Sequence, residues 1–247
     1  MSTDFTEQIV VVTGAAAGIG NAIATYLAER GARIAGVDIA PALDEAIAAL
    51  PGSGHLVVSA NIADAAAAQG AIDRVLAELG APSALVNSAG IGRFAAGEDV
   101  SEQDWNLTLS VNLSGSFFMT QAAGRAMLEA GYGRIATIAS QAAEIGLVEH
   151  AAYSASKAGV LGFTRVLAVE WAGRGVTVNA VSPTIVDTAL AREIWVGEKG
   201  DTARSEIPAG RFATPDEVAA LVAFLVSEDA AMITGENVRI DGGRSVI

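Results

Sequence analysis

The stretch from Ile9 to Arg30 constrains this chain most. A β-branched run, Ile9 to Thr13, passes through Thr13-Gly14-Ala15-Ala16-Ala17-Gly18-Ile19-Gly20 directly into a helical pattern that ends at Gly31. A short continuous apolar run is a strand buried on both faces, as in a parallel sheet. The glycine after Arg30 is a helix terminator. A strand, a tight turn and a helix in that order form the first half of a right-handed crossover to a parallel strand.

The unit recurs along the chain. Further strands are expected at Arg33–Asp38, His55–Ser59, Ser83–Asn87, Arg134–Ala139, Val176–Val181 and Asn237–Ile240. Helices are expected up to Pro51, over Asp64–Leu79, from Ser101 to about Glu129 with a bend near Gly115, and over Ala151–Ala172. Thr214 and Pro215 read as the N-cap and first residue of another. The rhythm predicts an α/β fold: a doubly wound, Rossmann-type, mostly parallel seven-stranded sheet with helices on both faces. No linker or repeat interrupts it, so residues 1–247 are expected to form one domain. Residues 188–206, with Gly197 and Gly200 among them, read as a mobile helical lid over the substrate.

Composition narrows the partners. With 51% hydrophobic and 17% charged residues the chain can bury a large core, and its net charge of −13 disfavours nucleic acid and anionic membranes. Cysteine is absent, which removes disulfides and thiolate metal sites; no metal is expected. Residues Met1 to Gln8 hold no apolar signal core, and no apolar run is long enough to span a bilayer. The expectation is a cytoplasmic protein acting on a small molecule.

Gly14, Gly18 and Gly20 let backbone bend tightly and approach a pyrophosphate, while the helix they open supplies free N–H groups and a positive dipole end. Asp38 ends the second strand, where a carboxylate accepts from a ribose diol and repels a 2′-phosphate. Ala15 to Ala17, Val37 and Ile39 offer no Arg or Lys for that phosphate. NAD is therefore expected over NADP.

Tyr153-Ser154-Ala155-Ser156-Lys157 places a phenol and an ammonium four residues apart on one helix face. A free tyrosine titrates near ~10, too high for an efficient base at neutral pH, and a nearby cation is expected to lower it. Ser140, just after a strand, is placed to hydrogen-bond a substrate oxygen.

With these pieces in order, the chain resembles the short-chain dehydrogenase/reductase family over essentially its whole length. The matching segments are the Thr13–Gly20 loop, Asn87-Ser88-Ala89-Gly90, Asn112, Ser140, Tyr153 to Lys157, Asn179 to Thr188 and Asp241-Gly242-Gly243. The resemblance implies a catalytic tetrad of Asn112, Ser140, Tyr153 and Lys157. Tyr153 would exchange the proton of the reacting alcohol, Ser140 would orient its oxygen, Lys157 would hold the nicotinamide ribose, and Asn112 would anchor a water linking Lys157 to solvent. The remaining cofactor contacts implied are Gly14, Gly18, Ile19, Gly20, Asn61, Ile62, Asn87, Ala89, Gly90, Pro183, Val186 and Thr188. Asn61 stands where the family usually has Asp, and Thr184 replaces the usual Gly after Pro183, which leaves the backbone path there open.

Gln141, Leu147, His150 and Trp195 resemble the L-xylulose reductase and polyol dehydrogenase branch. They imply a short sugar alcohol or diol and its ketose as the substrate pair, with Gln141 and His150 bonding hydroxyls and Leu147 and Trp195 forming apolar walls. Two alternatives share parts of this pattern. A 3-oxoacyl carrier-protein reductase has the tetrad but is expected to use NADPH and to carry basic residues at its mouth; a nucleotide-sensing regulator is expected to lose Tyr or Lys. The resemblance also implies a homo-oligomer, with a tetramer favoured, built on the long helices.

Overall fold

The computed structural model describes residues 4–246. Each strand expected from sequence forms: β1 (Ile9–Thr13), β2 (Arg33–Asp38), β3 (Leu56–Ser59), β4 (Ala84–Asn87), β5 (Gly133–Ile138), β6 (Val176–Pro183) and β7 (Asn237–Ile240). They make one seven-stranded sheet in the order β3-β2-β1-β4-β5-β6-β7, with every neighbouring pair parallel. Val10 lies beside Ile34 on one flank and Ala84 on the other, so β1 is the strand from which the order runs both ways. The strand order reverses there, between β1 and β4, the place at which doubly wound sheets receive ligands in a crevice above the carboxyl ends of their strands.

The helices are α1 (Gly18–Ala28), α2 (Leu43–Ala48), α3 (Ala65–Glu78), α4 (Glu102–Leu109), α5 (Ser116–Ala130), α6 (Ala151–Trp171), α7 (Ala189–Ile194), α8 (Gly197–Ser205) and α9 (Pro215–Leu225). Alternation along β1 feeds two cores. Val10 and Val12 pack with Ile23 and Leu27 of α1 and Val218 and Val222 of α9. Ile9 and Val11 face the other way, toward Ile72 and Val75 of α3, Met119 and Met127 of α5 and Trp171 of α6. Strands covered on both sides explain their unbroken apolar runs.

Local chemistry sets the helix ends. Asp64 accepts from the Ala67 N–H at 2.9 Å and Ser101 from the Asp104 N–H at 3.0 Å. Thr214 and Glu217 close a reciprocal capping box before α9, and Gly131 ends α5 in the left-handed region at φ 71°.

The bend expected near Gly115 is a π-helical turn over Ser110–Gly115, between α4 and α5. A Cβ on Gly115 would sit 2.9 Å from Cγ1 of Ile62, so the loop after β3 packs directly onto that turn. Four strands differ from the expected bounds: β4 begins at Ala84 instead of Ser83, β5 is shifted by one residue to Gly133–Ile138, and β3 and β6 differ for identifiable reasons. β3 begins after His55, whose ring accepts from the Ile34 N–H at 3.1 Å and donates to the Pro51 carbonyl at 3.0 Å. β6 runs on to Pro183, which settles the path left open there: the Thr184 N–H donates to the Ile240 carbonyl at 3.2 Å and stays beside β7. Among the described residues, no helix is long and apolar enough to cross a membrane.

Candidate active site

The glycine loop is a cradle whose walls are backbone. A Cβ on Gly14 would lie 2.8 Å from the backbone of Ala89, and one on Gly20 would collide with the Gly14 carbonyl. Gly14 and Gly18 also have φ of 71° and 58°, conformations that only glycine adopts freely. Thr13 Oγ1 accepts from the Ser88 and Ala89 N–H groups, each at 3.1 Å, tying the two loops together. No side chain caps the start of α1, where Ala17 is the N-cap residue, so its first N–H groups face the crevice unclaimed by a cap. These features fit a dinucleotide pyrophosphate. Ile19 is half-buried beside the loop.

Asp38 is tied into the same loop. Its Oδ2 accepts from the Ala16 N–H at 3.2 Å, and its Oδ1 from the Ile39 and Ala40 N–H groups at 2.7 and 3.0 Å. The carboxylate is thus fixed at the end of β2 while remaining partly open to solvent. Asn61 is exposed, and its Oδ1 accepts from the Ala63 N–H at 3.1 Å, which leaves one lone pair for an adenine amino group. Ile62 is buried against the π turn.

The side chain of Asn87 is placed differently from the expectation that it lines the crevice. It is buried, and its Nδ2 donates to Thr120 Oγ1 at 2.8 Å and Thr137 Oγ1 at 3.1 Å. It braces β4 against α5 and β5, leaving the backbone of Ala89 and Gly90 at the crevice. Beyond β6, Val186 bridges to Ala213, and Thr188 caps α7 with its methyl 3.8 Å from where a Cβ on Gly18 would lie. The segment from Pro183 to Thr188 therefore meets the glycine loop.

The four predicted catalytic residues converge. A Cβ on Gly90 would stand 3.3 Å from Asn112 Oδ1 and 3.6 Å from Lys157 Nζ. Asn112, fully buried in the π turn, accepts from the Ile91 N–H at 2.8 Å and donates to the Ile91 carbonyl at 2.9 Å and to Ser156 Oγ at 3.2 Å. Its carboxamide therefore staples the loop after β4 to α6, a role that spacing does not reveal. Lys157 is buried and donates to the Ile138 carbonyl at 2.7 Å, with Nζ 5.7 Å from the Tyr153 ring centre. Ser140 accepts from the Ala142 N–H at 3.1 Å, which orients its hydroxyl at the end of β5.

The electrostatics correct one expectation. Burial pushes the Tyr153 phenol up, and the Ser140 hydroxyl only partly offsets this. Burial likewise pushes Lys157 down to about 8. Its ammonium is directed at the Ile138 carbonyl, not at the phenol oxygen, so in the protein alone the cation does not bring Tyr153 below its ordinary value. Both groups are held toward their neutral forms, and a bound positive ring beside the phenol is what would favour the phenolate.

Gln141 is buried beside Ser140, and its Oε1 finds no hydrogen-bond partner among the described residues. Leu147 is half-buried, and its carbonyl accepts from the His150 N–H at 3.3 Å. Trp195 ends α7 and packs edge-on against Phe212 at 6.5 Å, in a cavity of about 480 Å³ that Asp187, Arg192, Arg204 and Arg211 also line. The rings nearest Tyr153 are instead His150, at 6.0 Å, and Phe94, at 5.8 Å. Phe94 lies in a loop without periodicity, and its sequence neighbours give no signal for it.

Known proteins share this arrangement. The profile of a family described as Enoyl-(Acyl carrier protein) reductase matches residues 14–245. A D-threitol dehydrogenase of Mycolicibacterium smegmatis is 52% identical over 242 residues, covering 97% of this chain and 93% of its own. An NAD-dependent glycerol dehydrogenase of Listeria innocua serovar 6a is 42% identical over 247 residues, covering 98% and 96%. The crystal structure of gox2181 superposes with a TM-score of 0.95 at 36% identity, covering 100% of this chain and 98% of that one. The glycine cradle, the doubly wound sheet and the converging tetrad thus sit in a chain that belongs to the short-chain dehydrogenase/reductase family, nicotinamide-dependent oxidoreductases acting on CH–OH groups.

Proposed function

We propose that this enzyme is an NAD-dependent dehydrogenase of a short polyol, interconverting a secondary alcohol and its ketone. The carrying observation is Gln141 Oε1, a buried acceptor without a donor beside the reacting serine. An unsatisfied buried polar atom costs about 1–3 kcal/mol. A substrate hydroxyl next to the reacting carbon satisfies it, and a simple alcohol or an alkyl ketone does not. The substrates named for the two relatives, threitol and glycerol, have such hydroxyls.

Nicotinamide, when bound, supplies the hydride acceptor. The protein's share is alignment and proton transfer. Ser140 donates to the substrate oxygen, Tyr153 takes the hydroxyl proton during oxidation and returns it during reduction, and Lys157 holds the nicotinamide ribose. Asn112 anchors the water through which Lys157 exchanges protons with solvent. Gly14, Gly18, Ile19 and Gly20 receive the pyrophosphate, Asp38 the adenosine ribose, Asn61 and Ile62 the adenine, and Pro183, Val186 and Thr188 the carboxamide end. The short helices α7 and α8 act as the substrate lid, and Trp195 approaches the substrate only as that lid closes. Exposed Val166 and Val169 on α6 support association of copies into the homotetramer implied by the family resemblance.

The test is a panel of C3 to C6 sugar alcohols and short diols with either cofactor. Oxidation of a C3 or C4 polyol is expected, with NAD favoured over NADP at least about tenfold, a difference of about 1.4 kcal/mol. Asp38→Ser is expected to erase that preference, because it removes the charge that repels a 2′-phosphate. Equal use of both cofactors by the wild type would remove Asp38 as the discriminator. Activity confined to 3-oxoacyl thioesters would remove the polyol assignment.

A further inference from the structure

The loop after β4 brings an aromatic ring to the site that the catalytic tetrad does not account for. Phe94 is 50% exposed, yet it stacks on His150 at 4.3 Å between ring centres and presents an edge to Tyr153 at 5.8 Å. The ring lies directly over the Gly92 backbone, where a Cβ would meet its outer edge. The Ala95 N–H donates to the Glu149 carbonyl at 3.1 Å, which joins the Phe94 loop to the turn before α6. Glu149 itself has φ 67°, a left-handed conformation uncommon for a residue with a side chain. Such outliers persist where the surroundings over-determine them, and they cluster at ligand sites.

The same turn fixes the histidine. His150 Nδ1 lies 2.6 Å from the Val148 carbonyl, which can only accept, so Nδ1 carries the proton. In the neutral ring Nε2 then keeps a lone pair and accepts from a hydroxyl. Phe94 covers one face of the imidazole and holds it at that angle.

We propose that Phe94 is a specificity-determining residue: its ring, in edge contact with Tyr153, walls off the outer end of the substrate site and positions His150, so that only a short hydroxylated chain fits inside that wall. This rests on the polyol reading above. A longer polyol meets the ring, whereas a short one places a hydroxyl at His150 Nε2.

The experiment compares wild type, Phe94→Ala and Phe94→Tyr with NAD on glycerol, the tetritols, the pentitols and the hexitols. Phe94→Ala is expected to raise the KM for the preferred short polyol about tenfold, to move kcat by less than about threefold, and to raise the relative efficiency on hexitols. The KM for NAD is expected to stay put, and Phe94→Tyr, which keeps the ring, to restore both KM and the chain-length profile. An active wild type whose profile is unchanged in Phe94→Ala overturns the assignment alone, as does an equal rise in KM for NAD. A wild type inert on every polyol overturns the polyol reading and the assignment with it.

Discussion

Tyr153→Phe is expected to lower turnover by about 10²–10⁴-fold, the range that general acid–base catalysis supplies, while folding and cofactor affinity stay near wild type. Only the phenol oxygen is lost. The ring keeps its edge contacts with Phe94 and His150, and the half-buried position tolerates loss of a hydroxyl that has already been pushed toward its neutral form. Circular dichroism and an NAD titration by intrinsic fluorescence check the first part, and steady-state turnover the second. Turnover within about threefold of wild type would mean that another group carries the proton.

Lys157→Met is expected to change both turnover and the pH dependence of stability. Turnover is expected to fall by orders of magnitude, because the group proposed to hold the ribose and relay the proton is gone. Folding stability loses its alkaline pH dependence. Lys157 titrates at 10.5 unfolded and about 8 in the native protein. Between those values the unfolded chain binds one more proton than the folded one, so this group makes stability rise with pH from about 8 upward. Below about pH 8 it is a buried charge that weakens the fold. Above about 10 Tyr153 acts the other way, because its raised value keeps the native phenol protonated after the unfolded one has ionised. The window is therefore about pH 8 to 10, and the gain across it is on the order of 2–3 kcal/mol at ~1.36 kcal/mol per unit. Urea unfolding without cofactor at pH 7 and pH 9.5 measures it. An identical difference in wild type and Lys157→Met would place the pH dependence elsewhere.

The sequence made the architecture legible because buried parallel strands are written as β-branched runs, and Ile9–Thr13, Arg33–Asp38 and Asn237–Ile240 form with the expected bounds. Turn chemistry was legible too: Gly14 and Gly20 mark backbone approaches that any side chain would block, and Thr214-Pro215 starts α9. Spacing placed Tyr153 and Lys157 on one face of α6, and the resemblance added Asn112 and Ser140, which the fold brings to the same place. What stayed hidden is whatever depends on distant partners. The inward turn of Asn87 needs Thr120 and Thr137. The packing of Ile62 onto Gly115 of the π turn joins segments far apart in sequence. The sign of the Tyr153 shift needs burial, which a four-residue spacing does not contain, and Phe94 needs a ring, His150, that arrives from 56 positions later in the chain. Local patterns announce elements; the direction a polar side chain takes is decided by its neighbours in space.

The anchoring of Asp38 bears on how cofactor choice can evolve in this scaffold. One carboxylate serves three backbone N–H groups, from Ala16, Ile39 and Ala40, besides its expected ribose contact. Replacing it to admit a phosphate leaves all three N–H donors without their carboxylate acceptor at once and loosens the glycine loop that any dinucleotide must use. A lineage moving from NAD to NADP through this position would pass an intermediate that binds both cofactors poorly, unless a second change first supplies Ala16 with another acceptor. Preference is therefore epistatic with loop integrity, and the order in which substitutions arise decides whether the path is open.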